Sequence, residues 1–281
     1  MEVRRFEAVD AFLEVAGGFL GAREAQHNLI FGICSNIQAN PGLYGDAPPY
    51  LAVVLHGSSV VAVALRTPPW RLLLSEIDHP TAVQLLAADL DGQALPGVAG
   101  PARSAAAFAR AWTRRTGSPA RPLRHMRVFR LTQLVPPQLA PGHLADATPA
   151  DQAIVARWLK AFHDESLPDD PAQDFDQMAQ RWIGGQGRRL VLWIDGGRPV
   201  SLTGVGGRTP NGIRIGPVYT PPDLRGRGYA SNLVAEASQA ELDAGRRFVF
   251  LFTDLANPTA NRIYQAIGYE PVGDVDEFAF G

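Results

Sequence analysis

Apolar residues recur along this chain with two spacings, and the switches between them mark out its elements. Glu7–Phe19 and Arg23–Ile33 carry helical spacing, with Phe12, Leu13 and Ala16 on one face of the first. Asn40-Pro41-Gly42 interrupts the pattern as a loop. Leu51–Leu55 and Val60–Leu65 are apolar runs split by Gly57-Ser58-Ser59, which reads as a hairpin, and Trp70–Ser75 is a third strand. Pro80–Leu90 returns to helical spacing, Leu95–Gly100 is a short extended piece, Arg103–Thr116 a helix and Met126–Leu134 a strand. The glycines of Leu95–Gly100 point to tight packing, because the lysine and Ser/Thr of a nucleotide loop are missing there.

The second half runs through the same order. Val135–Ala147, with Pro136-Pro137 and Pro141-Gly142, reads as a loop-rich boundary, so 136–147 is expected to link a domain at 1–135 to one at 148–281. Thr148 is placed as an N-cap before Pro149, and the helix it starts runs to about Ser166. Ala172–Ile183 is a second helix. Leu190–Ile194 and Val200–Val205 are strands joined at Asp195-Gly196-Gly197, and Asn211-Gly212 delivers the chain into the strand Ile213–Thr220. Ser231–Ala244 is helical and is closed by Gly245. Phe248–Thr253 is apolar throughout, as expected of a central parallel strand. Thr259–Ile267 is a short helix, and Tyr269 begins the last strand. The pattern predicts an α/β (α+β) fold of two tandem domains, each a mixed, mostly antiparallel sheet flanked by helices.

Composition narrows the chemistry. The chain has 281 residues, more than the roughly 100–200 of one domain. The net charge is −2 and Lys160 is the only lysine, so no basic excess marks a nucleic-acid or membrane surface. Cys34 stands alone, which removes a disulfide framework and a cysteine metal cluster. His56 and His79 have no carboxylate companions at ligand spacing, and no metal is expected. With no apolar signal core at the N-terminus, a cytoplasmic location is expected.

The stretch Ile213–Ala230 carries the clearest chemical signal. Its strand ends at Pro221-Pro222-Asp223, and Arg225-Gly226-Arg227-Gly228-Tyr229-Ala230 then runs into a helix. Helix-start N–H groups lack intrahelical partners, glycines let backbone close on an anion, and the two arginines add permanent charge. R-x-x-G-x-A after G-P-V-Y-T resembles the acyl-coenzyme A signature of the GNAT superfamily of N-acetyltransferases. Downstream, N-P-T-A-N-R-I-Y-Q-A-I-G-Y resembles the segment lining the far wall of that family's coenzyme cleft, with Asn257, Asn261 and Tyr264 at matching positions. Taken singly, the asparagines are better read as caps and Tyr264 as a core aromatic; it is the glycine turn upstream that shifts the reading to the cleft segment.

The resemblance implies acetyl-CoA as co-substrate. Arg225, Gly226, Arg227, Gly228, Tyr229 and Ala230 would hold its pyrophosphate, with Asn257 and Asn261 on the far wall. Val218, Tyr219 and Thr220 would contact the pantetheine and polarise the thioester, helped by a bulge near Gly216-Pro217. Tyr264 would protonate the departing thiolate. Glu165, His163 and Asp254 are the candidate general bases, and a water relay is the alternative. In the first half the equivalent turn reads E-I-D-H-P, acidic and without glycine, so that domain is expected to be a GNAT-like one that has lost the coenzyme. The expected function is direct transfer of an acetyl group to a primary amine on a small metabolite, antibiotic or protein N-terminus. The expected assembly is a monomer, as a pseudo-dimer, or a homodimer. A mycothiol-synthase-like tandem enzyme and a non-catalytic acyl-CoA-binding regulatory module are the alternatives, and a tRNA-dependent aminoacyl transfer is disfavoured by the glycine turn.

Overall fold

The element order βααβββαβαβ occurs twice in the computed structural model, which describes all of residues 1–281. The first pass is β1 (Glu2–Phe6), α1 (Val9–Gly21), α2 (Asn28–Ala39), β2 (Tyr50–His56), β3 (Ser59–Arg66), β4 (Leu72–Leu74), α3 (Pro80–Asp89), β5 (Gly97–Pro101), α4 (Ala102–Thr116) and β6 (Ala120–Leu131). The second is β7 (His143–Asp146), α5 (Gln152–Ser166), α6 (Phe175–Ile183), β8 (Arg188–Asp195), β9 (Arg198–Gly206), β10 (Gly212–Tyr219), α7 (Tyr229–Asp243), β11 (Phe248–Asp254), α8 (Pro258–Ala266) and β12 (Glu270–Phe280). Contacts divide the chain into unit 1 (Met1–Val128, Asp254–Ala256, Val272–Gly281) and unit 2 (Phe129–Thr253, Asn257–Pro271).

That division departs from the expected one at the C-terminus. Residues Val272–Gly281 group with unit 1, where β12 runs antiparallel to β5 from Val275 opposite Pro101 to Ala279 opposite Gly97. The alternation of the strand explains its place. Phe278 and Phe280 lie against the unit-1 core, with the Phe280 ring 5.9 Å from Trp112. Gly97 makes the approach possible, since a Cβ there would stand 2.1 Å from the Phe278 carbonyl oxygen.

Unit 1 has the strand order β1-β2-β3-β4-β5-β12-β6, with β4 and β5 parallel. Alternate residues of its strands feed two cores. Leu51, Val53 and Leu65 pack under α1 and α2, while Ala52, Val54, Leu72 and Val98 pack under α3 and α4. The Cys34 thiol belongs to the first of these, and burial pushes it up to about 12, keeping it protonated. Unit 2 has the order β11-β10-β9-β8-β7, with β10 and β11 parallel as the apolar run of β11 implied. Ile213, Ile215, Val249 and Leu251 pack with α7, whereas Leu190, Leu192 and Leu202 pack with α5 and α6.

Two strands escaped the sequence pattern. Residues 143–146, expected to be linker, pair antiparallel with β8 from His143–Ile194 to Asp146–Val191. Residues 2–6 pair with β2. Both end their unit's strand order and are short and polar, so neither shows a clear alternation. Helix starts also moved. The second helix begins at Asn28, and α6 begins where the Asp174 carboxylate accepts the Gln177 N–H at 2.9 Å. No helix is long and apolar enough to cross a membrane.

Candidate active site

The site is built from an irregularity in β10. Its register against β9 breaks between Ile215 and Val218, the bulge expected at Gly216-Pro217. An extra residue in one strand flips every later side chain to the other face. Ile213 and Ile215 accordingly face the α7 core, and Tyr219, an even number of residues on, faces the α5 core instead. On the other edge, β10 pairs with β11 only from Gly212–Phe248 to Arg214–Phe250. Both strands continue past that point without partnering each other, which opens a wedge between them.

Side chains from β9 decide what the wedge presents. Thr203 Oγ1 donates to the Pro217 carbonyl at 2.9 Å, and Ser201 Oγ donates to the Tyr219 carbonyl at 3.0 Å. In a planar trans peptide the C=O and the following N–H point in opposite directions. Holding those two carbonyls toward β9 therefore aims the N–H groups of Val218 and Thr220 into the wedge. The Tyr219 side chain turns away, and its hydroxyl donates to Glu165 at 3.1 Å. Of Tyr219, only the backbone is thus offered to a ligand.

The glycine turn follows directly. Gly226 and Gly228 adopt φ of +77° and +80°, values that L side chains rarely take, and Gly228 is the N-cap of α7. The Tyr229 side chain is buried, with its hydroxyl donating to Asp195, so this residue can meet a ligand only through its N–H. Asn232, one turn into α7, donates to the carbonyls of Gln138 and Gly228 at 3.0 Å each. That fastens Gln138 beside the turn. The two arginines are already engaged. Arg225 donates to the Thr220 carbonyl at 2.9 Å and to Glu165 at 2.7 Å, and Arg227 donates to the Asp223 carbonyl at 3.2 Å. Both side chains are solvent-exposed, and the ties they make are ones an anion can compete for.

On the α8 side the asparagines cap. The Asn257 side chain accepts the Ala260 N–H at 3.0 Å, and Asn261 takes the Thr253 hydroxyl at 2.5 Å while donating to the Asn257 carbonyl at 2.8 Å. Tyr264 is buried, with its ring edge-on to Tyr269 at 6.0 Å. Burial pushes its phenol above the ordinary tyrosine range. Among the candidate bases, Glu165 is tied to Tyr219 and Arg225. Asp254, grouped with unit 1, accepts the Ala256 N–H at 2.7 Å in its own turn. His163 packs edge-on against Phe175 at 5.3 Å, and its Nε2 is buried without a hydrogen-bond partner.

Unit 1 treats the equivalent position differently. Past β4 the Glu76 N–H donates to His27 Nε2 at 3.1 Å, and the Ile77 N–H donates to Ser104 Oγ at 2.9 Å. Buried His27 is neutral, since burial lowers its pKa and its Nδ1–H is left for the Leu20 carbonyl. Pro80 at the start of α3 contributes no N–H. Nor is there a wedge: a Cβ on Gly100 of β5 would come within 2.9 Å of the Leu74 carbonyl oxygen. His56 and His79, distant in sequence, have rings 6.0 Å apart, but no group of three ligating side chains forms.

Comparison with known proteins places this geometry. Residues 153–269 match the model of the acetyltransferase (GNAT) family. The fold is similar to that of a Drosophila protein at 12% identity, covering 99% of this chain and 98% of that one with a TM-score of 0.72. It is also similar to a GNAT-family acetyltransferase from Colwellia psychrerythraea, at 12% identity, full coverage of both chains and a TM-score of 0.56. A tandem GNAT protein from the clavulanic acid biosynthesis pathway matches at 14% identity over 99% of this chain and 98% of that one, with a TM-score of 0.59. At such identities the likeness is one of fold. No curated protein matches the sequence.

Proposed function

We propose, from the match of residues 153–269 to the acetyltransferase (GNAT) family model, that the protein transfers an acetyl group from acetyl-CoA to a primary amine. The observation that carries the reading is the wedge past Arg214–Phe250 lying next to a two-glycine helix start. In this reading the pyrophosphate sits on the N–H groups from Gly226 to Ala230 and draws on Arg225 and Arg227. The Val218 and Thr220 N–H groups receive the thioester oxygen, where negative charge develops as the amine attacks. Tyr264 gives its proton to the departing thiolate, and Glu165, bonded to Tyr219 and Arg225, serves as the base. Unit 1, whose turn amides are consumed internally, binds no coenzyme.

Charge favours a cationic acceptor. Asp164 and Glu165 in the last turn of α5, Asp169, Asp170 and Asp174 in the segment that follows, and Asp176 in the first turn of α6 place six carboxylates around Glu165's end of α5. The test is release of free coenzyme thiol from acetyl-CoA in the presence of mono-, di- and polyamines, peptides with free N-termini, and amino-sugar thiols. Turnover best with polyamines supports the reading. Turnover confined to amino-sugar thiols would favour the mycothiol-synthase-like alternative, and tight binding with no thiol release would favour a regulatory module.

The shared arginine makes a further expectation. Because Glu165 competes with the pyrophosphate for Arg225, Glu165→Gln is expected to tighten acetyl-CoA binding while lowering turnover. The tightening is limited to about fivefold, since a half-exposed ion pair is worth at most about 1 kcal/mol. Weaker binding by calorimetry would mean that the pair organises the turn instead.

A further inference from the structure

Arg188 begins β8, in register with Gly206 of β9, and its side chain reaches across two strands. It passes over Gly206 and Gly204, where Cβ atoms would stand 2.7 Å from its Cγ and 3.2 Å from its Cδ. Its Nη1 then donates to the Gly216 carbonyl, in the bulge of β10, at 2.6 Å. The Trp182 ring from α6 lies under the guanidinium, 5.3 Å from its central carbon. Two glycines, an indole and a cross-strand arginine thus converge on one carbonyl. That carbonyl sits immediately before the peptide whose N–H faces the wedge.

We propose that Arg188 is a positioning residue for acyl transfer: by holding the Gly216 carbonyl it fixes the bulge, and through it the direction of the Val218 N–H toward the thioester oxygen. The inference rests on the acetyl-CoA reading of this wedge. Thr203 holds the Pro217 carbonyl from the β9 edge, and Arg188 holds the Gly216 carbonyl from the sheet face, so the bulge is clamped on two sides. A charge-assisted bond suits this task, being stronger and shorter than a neutral one. Gly204 and Gly206 have room for no side chain: the Gly216 and Gly187 carbonyl oxygens and, beside them, the arginine stem occupy the space a Cβ would fill.

The test uses the full chain with Arg188→Met, which keeps the stem over the glycines but removes the donor, and Arg188→Lys, which restores a cationic donor. The infrared carbonyl band of bound, carbonyl-labelled acetyl-CoA reports the hydrogen bond directly, with or without an acceptor. In the wild type the band is expected below that of the free thioester. Arg188→Met is expected to return it most of the way, to lower kcat by about tenfold or more, and to leave coenzyme affinity within about twofold. Arg188→Lys should recover most of both losses. A band unmoved in Arg188→Met overturns the proposal, as does a kcat that falls only in step with affinity and melting temperature. Wild-type protein that binds no acetyl-CoA in calorimetry contradicts the underlying reading itself.

Discussion

Tyr264→Phe is expected to lower turnover by about 10²-fold or more, the usual contribution of a positioned general acid, with acetyl-CoA affinity unchanged. The phenol is buried, and no protein hydrogen bond contributes to its raised pKa, which comes from desolvation alone. Its neighbour Tyr269 differs, with a hydroxyl held by Ser238 at 2.8 Å. A phenol whose pKa is raised stays protonated across the neutral range and can donate to a thiolate formed beside it. The sign of the pH dependence follows. Loss of the Tyr264 proton abolishes donation, so any fall in rate it causes appears only above the ordinary tyrosine value of about 10. Phenylalanine fills the same space, so the fold is expected to hold. Steady-state thiol release measured beside calorimetry separates the outcomes. A loss of affinity matching the loss of rate, or no loss of rate, would remove the acid role.

Reversing charge at both Arg225 and Arg227 is expected to weaken acetyl-CoA binding by about 10²-fold or more, because each charge-assisted bond to a phosphate is worth about 1.5–3 kcal/mol. Both side chains lie at the surface and neither anchors a core, so the melting temperature should move little. The two substitutions are not equivalent. Arg225→Glu alone also sets a second carboxylate against Glu165, whose Oε2 now receives Arg225 at 2.7 Å. Arg227→Glu alone replaces a side chain that donates to the Asp223 carbonyl and also lies against the Tyr229 hydroxyl. The loss should fall as salt rises, since the attraction removed is exposed and screened. Unchanged affinity of the double variant would contradict a pyrophosphate site on this turn.

Much of the fold was legible in the sequence because its signals are local. Glycine turns such as Asp195-Gly196-Gly197, the apolar run of β11 and the helical spacing of α3 and α7 each declare themselves within a few residues. The bulge was legible for the same reason, as glycine followed by proline inside a strand cannot continue a regular ladder. What was hidden depends on partners far along the chain. The C-terminal strand pairs with β5 because Gly97 admits it, a fact that no window around Glu270–Phe280 contains. Arg188 gave no signal either, since its role needs Gly204, Gly206 and Trp182 around it. The sequence marks Arg225 by its charge and by its place in R-x-x-G-x-A. The structure adds that Glu165 already holds that charge, which turns two separate candidates into a competing pair. Asn257 and Asn261 matched the cleft segment by position; in the structure Asn257 caps α8, and Asn261 joins that helix to Thr253 of β11 and to the Asn257 carbonyl.

The most direct test of the account is calorimetric titration of the purified protein with acetyl-CoA, counting sites per chain. One site, lost in the Arg225→Glu, Arg227→Glu double variant, is the predicted result: the unit-2 wedge binds, and the unit-1 turn, with its amides taken by His27 and Ser104, does not. Two sites per chain, or one site that survives the double variant, would contradict it.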